Sequence, residues 1–275
     1  MRKHPSDVIA KLSAQLNELL DSGVKEALSP SARRQLASDV SQIHIRLDEL
    51  MAEIDPIRQP DTIFDPADPS VVGRFVALAM VAQKSAPLDT IGKFYGSGIY
   101  AIYYNGDFPL YAPISGGETP IYVGKANPQS GAAKTPIEQG PRLSGRLADH
   151  RKNIIKAENL DIKQFSYKAL VVQTGWQDAA ESYLINFFKP IWNSETKILF
   201  GLGKHGDNAE TRANKRSPWD TLHPGREWAA ASKEDAKSIA IIEAETATHF
   251  SLIPRYASLQ RILDAFISEL RQITD

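Results

Sequence analysis

Six polar residues follow one another through the middle of the chain: Tyr100, Tyr122, Arg146, His150, Glu181 and Asn193. Tyr100 completes Gly98-Ile99-Tyr100 in one strand-like run, and Tyr122 opens Tyr122-Val123-Gly124-Lys125 in another. Arg146 and His150 are four apart in a helical stretch, so they project from one face. Glu181 lies in a second helical stretch and Asn193 just beyond it. These types suit the cutting of a phosphodiester, which needs an activated water, stabilised transition-state charge and help for the leaving oxygen. Arg grips phosphate oxygens in pairs, and His moves protons near neutral pH. Glu181, in Ala-Ala-Glu-Ser-Tyr-Leu-Ile, borders an apolar helix face, where a carboxylate is costly unless paired or bound to a metal. A lone carboxylate without a His/Cys cluster suits a hard divalent ion held mostly by water and phosphate.

Each residue also has an ordinary reading. Glu181 alone is a helix carboxylate bonded to a nearby Arg. Arg142, Arg146, His150, Arg151 and Lys152 alone are a solvated helix face. Tyr100 and Tyr122 alone are strand tyrosines with a wet hydroxyl, and Asn193 caps a turn.

The elements that must position these residues form a mixed centre between helical ends. Residues 98–105 and 120–125 read as strands, with Asn105-Gly106 a hairpin signal. A Gly/Ala/Lys loop at 130–140 leads to a basic helix over 142–157. A third strand spans 165–173, a helix 177–188, and a loop-like tract 201–226. Upstream, Ile9, Leu12, Leu16 and Leu19 share a helix face, and Leu36, Val40, Ile43, Leu47, Leu50 and Ile54 form a heptad seam. A Pro/Asp-rich linker and a buried helix over 69–86 follow. Downstream, a helix near 233–250 precedes a second seam of Tyr256, Leu259, Leu263, Phe266, Leu270 and Ile273. The two seams either cover each other or meet a second subunit. The resulting division is a helical extension over 1–59, a central domain over 60–230 and a helical extension over 231–275.

At 275 residues and 42% hydrophobic, the chain can bury a large core. Its net charge of −1 hides a basic centre, with 17 Lys+Arg against 13 Asp+Glu between 92 and 228. That suits contact with a polyanion at one face, while the near-neutral whole argues against a general nucleic-acid coat. The absence of cysteine excludes disulfides, zinc-thiolate sites and thiol nucleophiles. No signal core or membrane-length apolar run is present, so a cytoplasmic protein without membrane contact is expected.

The ordered set resembles the GIY-YIG nuclease superfamily. Gly98-Ile99-Tyr100 matches its first motif, Tyr122-Val123-Gly124 its second with Val for Ile, and Arg146, His150, Glu181 and Asn193 fall where its Arg, His or Tyr, metal-binding Glu and late Asn stand. The spacer holding residues 109–120 is longer than in homing-endonuclease and excision-repair members. Together with Lys215-Arg216-Ser217-Pro218-Trp219-Asp220-Thr221-Leu222-His223-Pro224-Gly225-Arg226, it resembles the type II restriction endonucleases of this superfamily that cut CCGCGG, over residues 65–228.

The resemblance implies an α+β fold, with a small, mostly antiparallel sheet flanked by helices. It implies catalysis by Tyr100, Tyr122, Arg146, His150, Glu181 and Asn193, with Glu181 holding one Mg2+ per active site. Tyr100, prepared by His150, would activate water, Arg146 and Tyr122 would stabilise phosphate charge, and Asn193 would orient Glu181 or a neighbour. Because a phenol with pKa about 10 is a weak base at pH 7, that role requires a downward shift from a nearby cation and His150. Guanine readout calls for Arg or Lys donors, and the candidates for DNA contact are Lys125, Arg142, Lys204, Arg212, Lys215 and Arg216.

A palindromic site in double-stranded DNA implies a homodimer, or a homotetramer through the terminal helices. It also implies a cognate methyltransferase that forms no stable complex. The alternatives are a GIY-YIG nuclease of repair or a mobile element, and a non-catalytic DNA-binding or assembly protein on a relic nuclease fold.

Overall fold

The computed structural model describes residues 4–21, 28–54, 65–203, 215–230, 232 and 234–272. The chain divides into two compact units, 1–61 and 62–275. The first contains α1 (Pro5–Asp21) and α2 (Pro30–Ile54). Its seam residues Ile9, Leu16, Leu19, Val40, Ile43, Leu50 and Ile54 are exposed, and Leu12, Leu36 and Leu47 are partly so.

The second unit starts with α3 (Pro69–Val81), where Asp68 accepts from the Ser70 amide at 2.7 Å and Pro69 sits at the first helical turn. It continues through β1 (Ala86–Pro87), β2 (Gly98–Tyr104), β3 (Tyr122–Ala126), α4 (Pro136–Gln139), α5 (Arg142–Ile155), β4 (Phe165–Val171) and α6 (Gln177–Phe188). The short α7 (Pro218–Leu222) and α8 (Glu227–Ala230) follow, then α9 (Ile239–Leu252) and α10 (Leu259–Gln272). The four strands form one sheet in the order β1-β4-β2-β3, and every neighbouring pair is antiparallel. This is the expected α+β fold. No helix among the described residues is long and apolar enough to cross a membrane.

All seven residues of β2 are buried, which explains its uninterrupted apolar and aromatic sequence: the strand is covered on both faces. Tyr100, Ile102 and Tyr104 point into one core with Leu143, Leu147, Trp192 and Trp219. Ile99, Ala101 and Tyr103 point into another with Ala77, Val81, Leu184, Phe188, Ile262 and Phe266. Much of the C-terminal seam is therefore covered within its own unit. Tyr256 stacks on Phe187 at 5.3 Å and Phe266 meets Tyr183 edge-on at 4.9 Å. Ile262 is fully buried where the heptad pattern points to Leu263, Leu270 stays exposed, and Ile273 lies outside the described residues.

The Asn105-Gly106 signal does not make a tight hairpin, because β3 begins only at Tyr122. The Asn105 amide donates to the Gln164 carbonyl and its side chain to Ser166 Oγ. The longer connection drives Tyr111 into the core through a 3-10 turn at Pro109–Tyr111. There a one-way hydrogen-bond chain forms. Trp192 Nε1 donates to the Tyr111 hydroxyl at 3.0 Å, which donates to His223 Nε2 at 2.5 Å. His223 Nδ1 donates to Asn159 Oδ1 at 2.8 Å, and Asn159 Nδ2 to the Leu222 carbonyl at 2.9 Å.

Burial, aided by the Arg226 charge, pushes the His223 pKa down from its ordinary 6.5 to about 3. The folded chain holds a neutral ring where the unfolded chain takes a proton, so this stability is complete above pH 6.5 and drains as pH falls toward 3. In thermal unfolding from pH 7 to 4, the wild type should lose on the order of a few kcal/mol more than His223→Gln. Parallel losses would show that His223 does not set the acid limb.

Candidate active site

The sheet brings the two tyrosine motifs together. Tyr100 of β2 faces Gly124 of the edge strand β3, and Tyr122 faces Ile102. A Cβ on Gly124 would fall 2.6 Å from the Tyr100 hydroxyl oxygen and 2.7 Å from its Cζ, closer than packing allows. The glycine thus makes the space in which the phenol stands. A Cβ on Gly98 would meet the Leu170 carbonyl oxygen at 2.1 Å, so that position also demands glycine where β2 crosses β4. The Tyr100 hydroxyl reaches His150 Nε2 of α5 at 2.6 Å, and both residues are fully buried. The Tyr122 ring lies 4.8 Å from that of His150 and 6.1 Å from that of Tyr100.

Burial raises the Tyr100 pKa well above its ordinary value, with Tyr122 adding to the effect. The Arg146 charge and its hydrogen bond to the phenol pull the other way without prevailing. Tyr122 is likewise raised, mainly by burial. The downward shift expected for a tyrosine base is therefore not present. The resting phenol is neutral and shares a hydrogen bond with His150 Nε2.

Glu181 and Asp178 lie three residues apart on α6 and face β3, where the Lys125 ammonium bridges them. Lys125 Nζ is 2.9 Å from Glu181 Oε2 and pairs also with Asp178 Oδ1. The partner of Glu181 is thus a strand lysine rather than the nearby Arg of its ordinary reading, and Lys125 is held by carboxylates. Its pKa is raised by bonds to Asp178 first and Glu181 second. Tyr122, Lys125, Arg142, Arg146 and Glu181 line one open cleft of about 810 Å3. Arg142 Nε donates across its rim to the Asn127 carbonyl at 3.1 Å. Among the described residues no three His, Cys, Asp or Glu side chains gather as a metal cage. The hard oxygens of Glu181, already against a cation and turned into the cleft, fit one hard divalent ion completed by water and phosphate.

Asn193 is buried and touches Val123: Oδ1 accepts from its amide at 2.9 Å and Nδ2 donates to its carbonyl at 2.8 Å. It therefore fixes β3 between Tyr122 and Gly124, and its bonds are to the strand rather than to the Glu181 carboxylate.

A second support is absent from the sequence reading. The buried Arg226 donates to Asp220 Oδ1 at 2.6 Å, the Leu202 carbonyl at 3.1 Å and the Gly201 carbonyl at 2.9 Å, with its guanidinium 4.5 Å from the Trp219 ring. This holds the 201–203 turn so that the Cβ position of Gly203 lies 3.9 Å from both Arg146 Nη2 and the Tyr122 hydroxyl. Asn153 of α5 ties the same turn to the helix through the Leu202 carbonyl at 3.0 Å. Lys215 and Arg216 pair with Glu234 at 3.3 Å and Asp235 at 2.7 Å. Lys204 and Arg212 lie outside the described residues. The missed Asp178 had a visible signal, an acid three residues before Glu181; Arg226 stood in the block that carries the resemblance, but nothing in its spacing pointed to the 201–203 turn.

Residues 92–250, more than half of the chain, match the family described as the Eco29kI GIY-YIG domain. The match takes in β2, β3, β4, α5 and α6, and so all six residues of the ordered set. No curated protein matches the chain. Since Asn193 makes two buried bonds to the edge strand, Asn193→Ala should cost about 1–3 kcal/mol and speed hydrogen exchange at the Val123 amide. Unchanged exchange there would remove its positioning role.

Proposed function

The chain belongs to the family of the Eco29kI GIY-YIG domain, a restriction-endonuclease family, and from that premise we propose a type II restriction enzyme that hydrolyses both strands of a short G·C-rich palindrome, CCGCGG. The observation that carries the mechanism is the 2.6 Å contact between Tyr100 and His150 beside Arg146, Tyr122 and Glu181. With the phenol neutral, Tyr100 takes a proton from the attacking water as it gives its own to His150 Nε2. The transfer is concerted and never needs a free phenolate, which burial would penalise. Arg146, hydrogen-bonded to the same phenol, steadies negative charge there and on the phosphate. The Tyr122 hydroxyl contributes a donor from the opposite strand, and Asn193 keeps that strand in register. Glu181 would hold one Mg2+, which when bound would supply charge stabilisation to the phosphate and the leaving oxygen.

Arg142 at the cleft and Lys204, Arg212, Lys215 and Arg216 in the later segment supply DNA contacts. Lys215 and Arg216 must exchange Glu234 and Asp235 for phosphate or guanine. Two copies related by a two-fold axis place one centre on each strand of a palindrome. The terminal helices offer a second interface and a homotetramer, and a methyltransferase protects the same site.

Plasmid incubated with Mg2+ should give discrete fragments whose ends map to CCGCGG. Fragments ending elsewhere correct the site, and no cutting at all removes the enzyme. Glu181→Gln should bind the site and fail to cut, while Tyr100→Phe should lose about 10²–10⁴-fold in cleavage rate. Mg2+-dependent cutting by Glu181→Gln at the wild-type rate would sink the assignment.

A further inference from the structure

Lys125 is placed where a metal ion is expected. Its stem rises from β3, opposite Ile99 in the sheet, and its ammonium lies between two carboxylates of a neighbouring helix. Asp178 and Glu181 are not equivalent partners. Glu181 is turned into the cleft with about a fifth of its side chain exposed, whereas Asp178 stands in the first turn of α6 and is nearly two-thirds exposed. The helix N-terminus stabilises negative charge at Asp178 whichever partner it has. Two carboxylates one helical turn apart repel each other, and one cation between them removes that cost. A divalent ion on Glu181 and the ammonium of Lys125 cannot share that place.

Resting on the reading of Glu181 as the metal-holding carboxylate, we infer that Lys125 is a built-in competitor for the metal and that Asp178 receives the ammonium when the metal enters. In the metal-free protein Lys125 neutralises the carboxylates, so the cleft is organised before any ion arrives. On loading, the ammonium leaves Glu181 and stays with Asp178, the more exposed of the two carboxylates, while Lys125 remains part of the cleft lining. Asp178 is then a positioning residue, and its effect on metal binding runs through Lys125.

The test is calorimetric titration of the full chain with Mn2+ in the absence of DNA, on the wild type, Lys125→Met, Asp178→Asn, the double variant and Glu181→Gln. Circular dichroism spectra establish that each is folded. Lys125→Met should bind Mn2+ roughly two- to fivefold more tightly, the range that a partly exposed ion pair accounts for. Asp178→Asn should weaken binding by roughly threefold, because the ammonium then has Glu181 alone, and should have little effect in the Lys125→Met background. Equal affinities for wild type and Lys125→Met, with Glu181→Gln no longer binding, overturn the competitor and leave the metal assignment standing. An Asp178→Asn loss that persists without Lys125 makes Asp178 a direct ligand and overturns its role as receiver. Wild-type affinity in Glu181→Gln overturns the underlying metal reading itself.

Discussion

A phenol hydroxyl enclosed by protein must find a partner, and the partner of Tyr100 is fifty residues away on another element. That bond ties the central strand to the helix that carries Arg146. It can form only because the strand alongside offers a glycine opposite Tyr100. A methyl group at Gly124 would occupy the place of the hydroxyl, pushing the ring away from His150 or pushing the edge strand off the sheet. The glycines of the two motifs therefore have separate physical reasons. Gly98 allows two backbones to close on each other, and Gly124 allows a side chain to stand where a strand would normally shield it.

Around this bond the site is supported by polar groups buried in pairs. Arg226 and Asp220 form a fully enclosed ion pair whose remaining donors hold the 201–203 turn, so the turn beside Arg146 is fixed by charge-assisted bonds rather than by its own sequence. The His223 chain plays a comparable part farther from the cleft, giving each donor one acceptor and leaving the ring no route to a second proton. The cleft itself is the exception, for there the charged groups face water and can exchange partners.

The strands around Tyr100 and Tyr122, the helix bearing Arg146 and His150 and the helix bearing Glu181 were all legible in periodicity and β-propensity. So was the shared face of Arg146 and His150, since four residues make one helical turn. Long-range partners were not. Nothing in the spacing links Lys125 to Glu181, Asn193 to Val123 or Arg226 to Leu202, because each pair meets only once the sheet has stacked its helices. Local rules also misled where tertiary packing overrode them. Asn105-Gly106 favours a tight hairpin, but Tyr111 gains more by reaching the aromatic core through a longer connection. The tyrosine base looked to need a lowered pKa, whereas its burial, invisible in sequence, raises it. Arg226 and His223 fall in a tract that reads as loop-like and are among the most enclosed polar groups of the described residues.

Asn193 has a consequence for how copies of this protein can meet. A sheet can usually grow sideways by lending the free amides and carbonyls of its outermost strand to another chain. Here β3 has its middle peptide groups taken by the Asn193 side chain, and the opposite border is a two-residue strand ending in Pro87, which has no amide to lend. The sheet is finished at both borders. Sideways growth of this sheet into a second copy is therefore disfavoured at either border, and helices and loops are the surfaces left for two chains to meet.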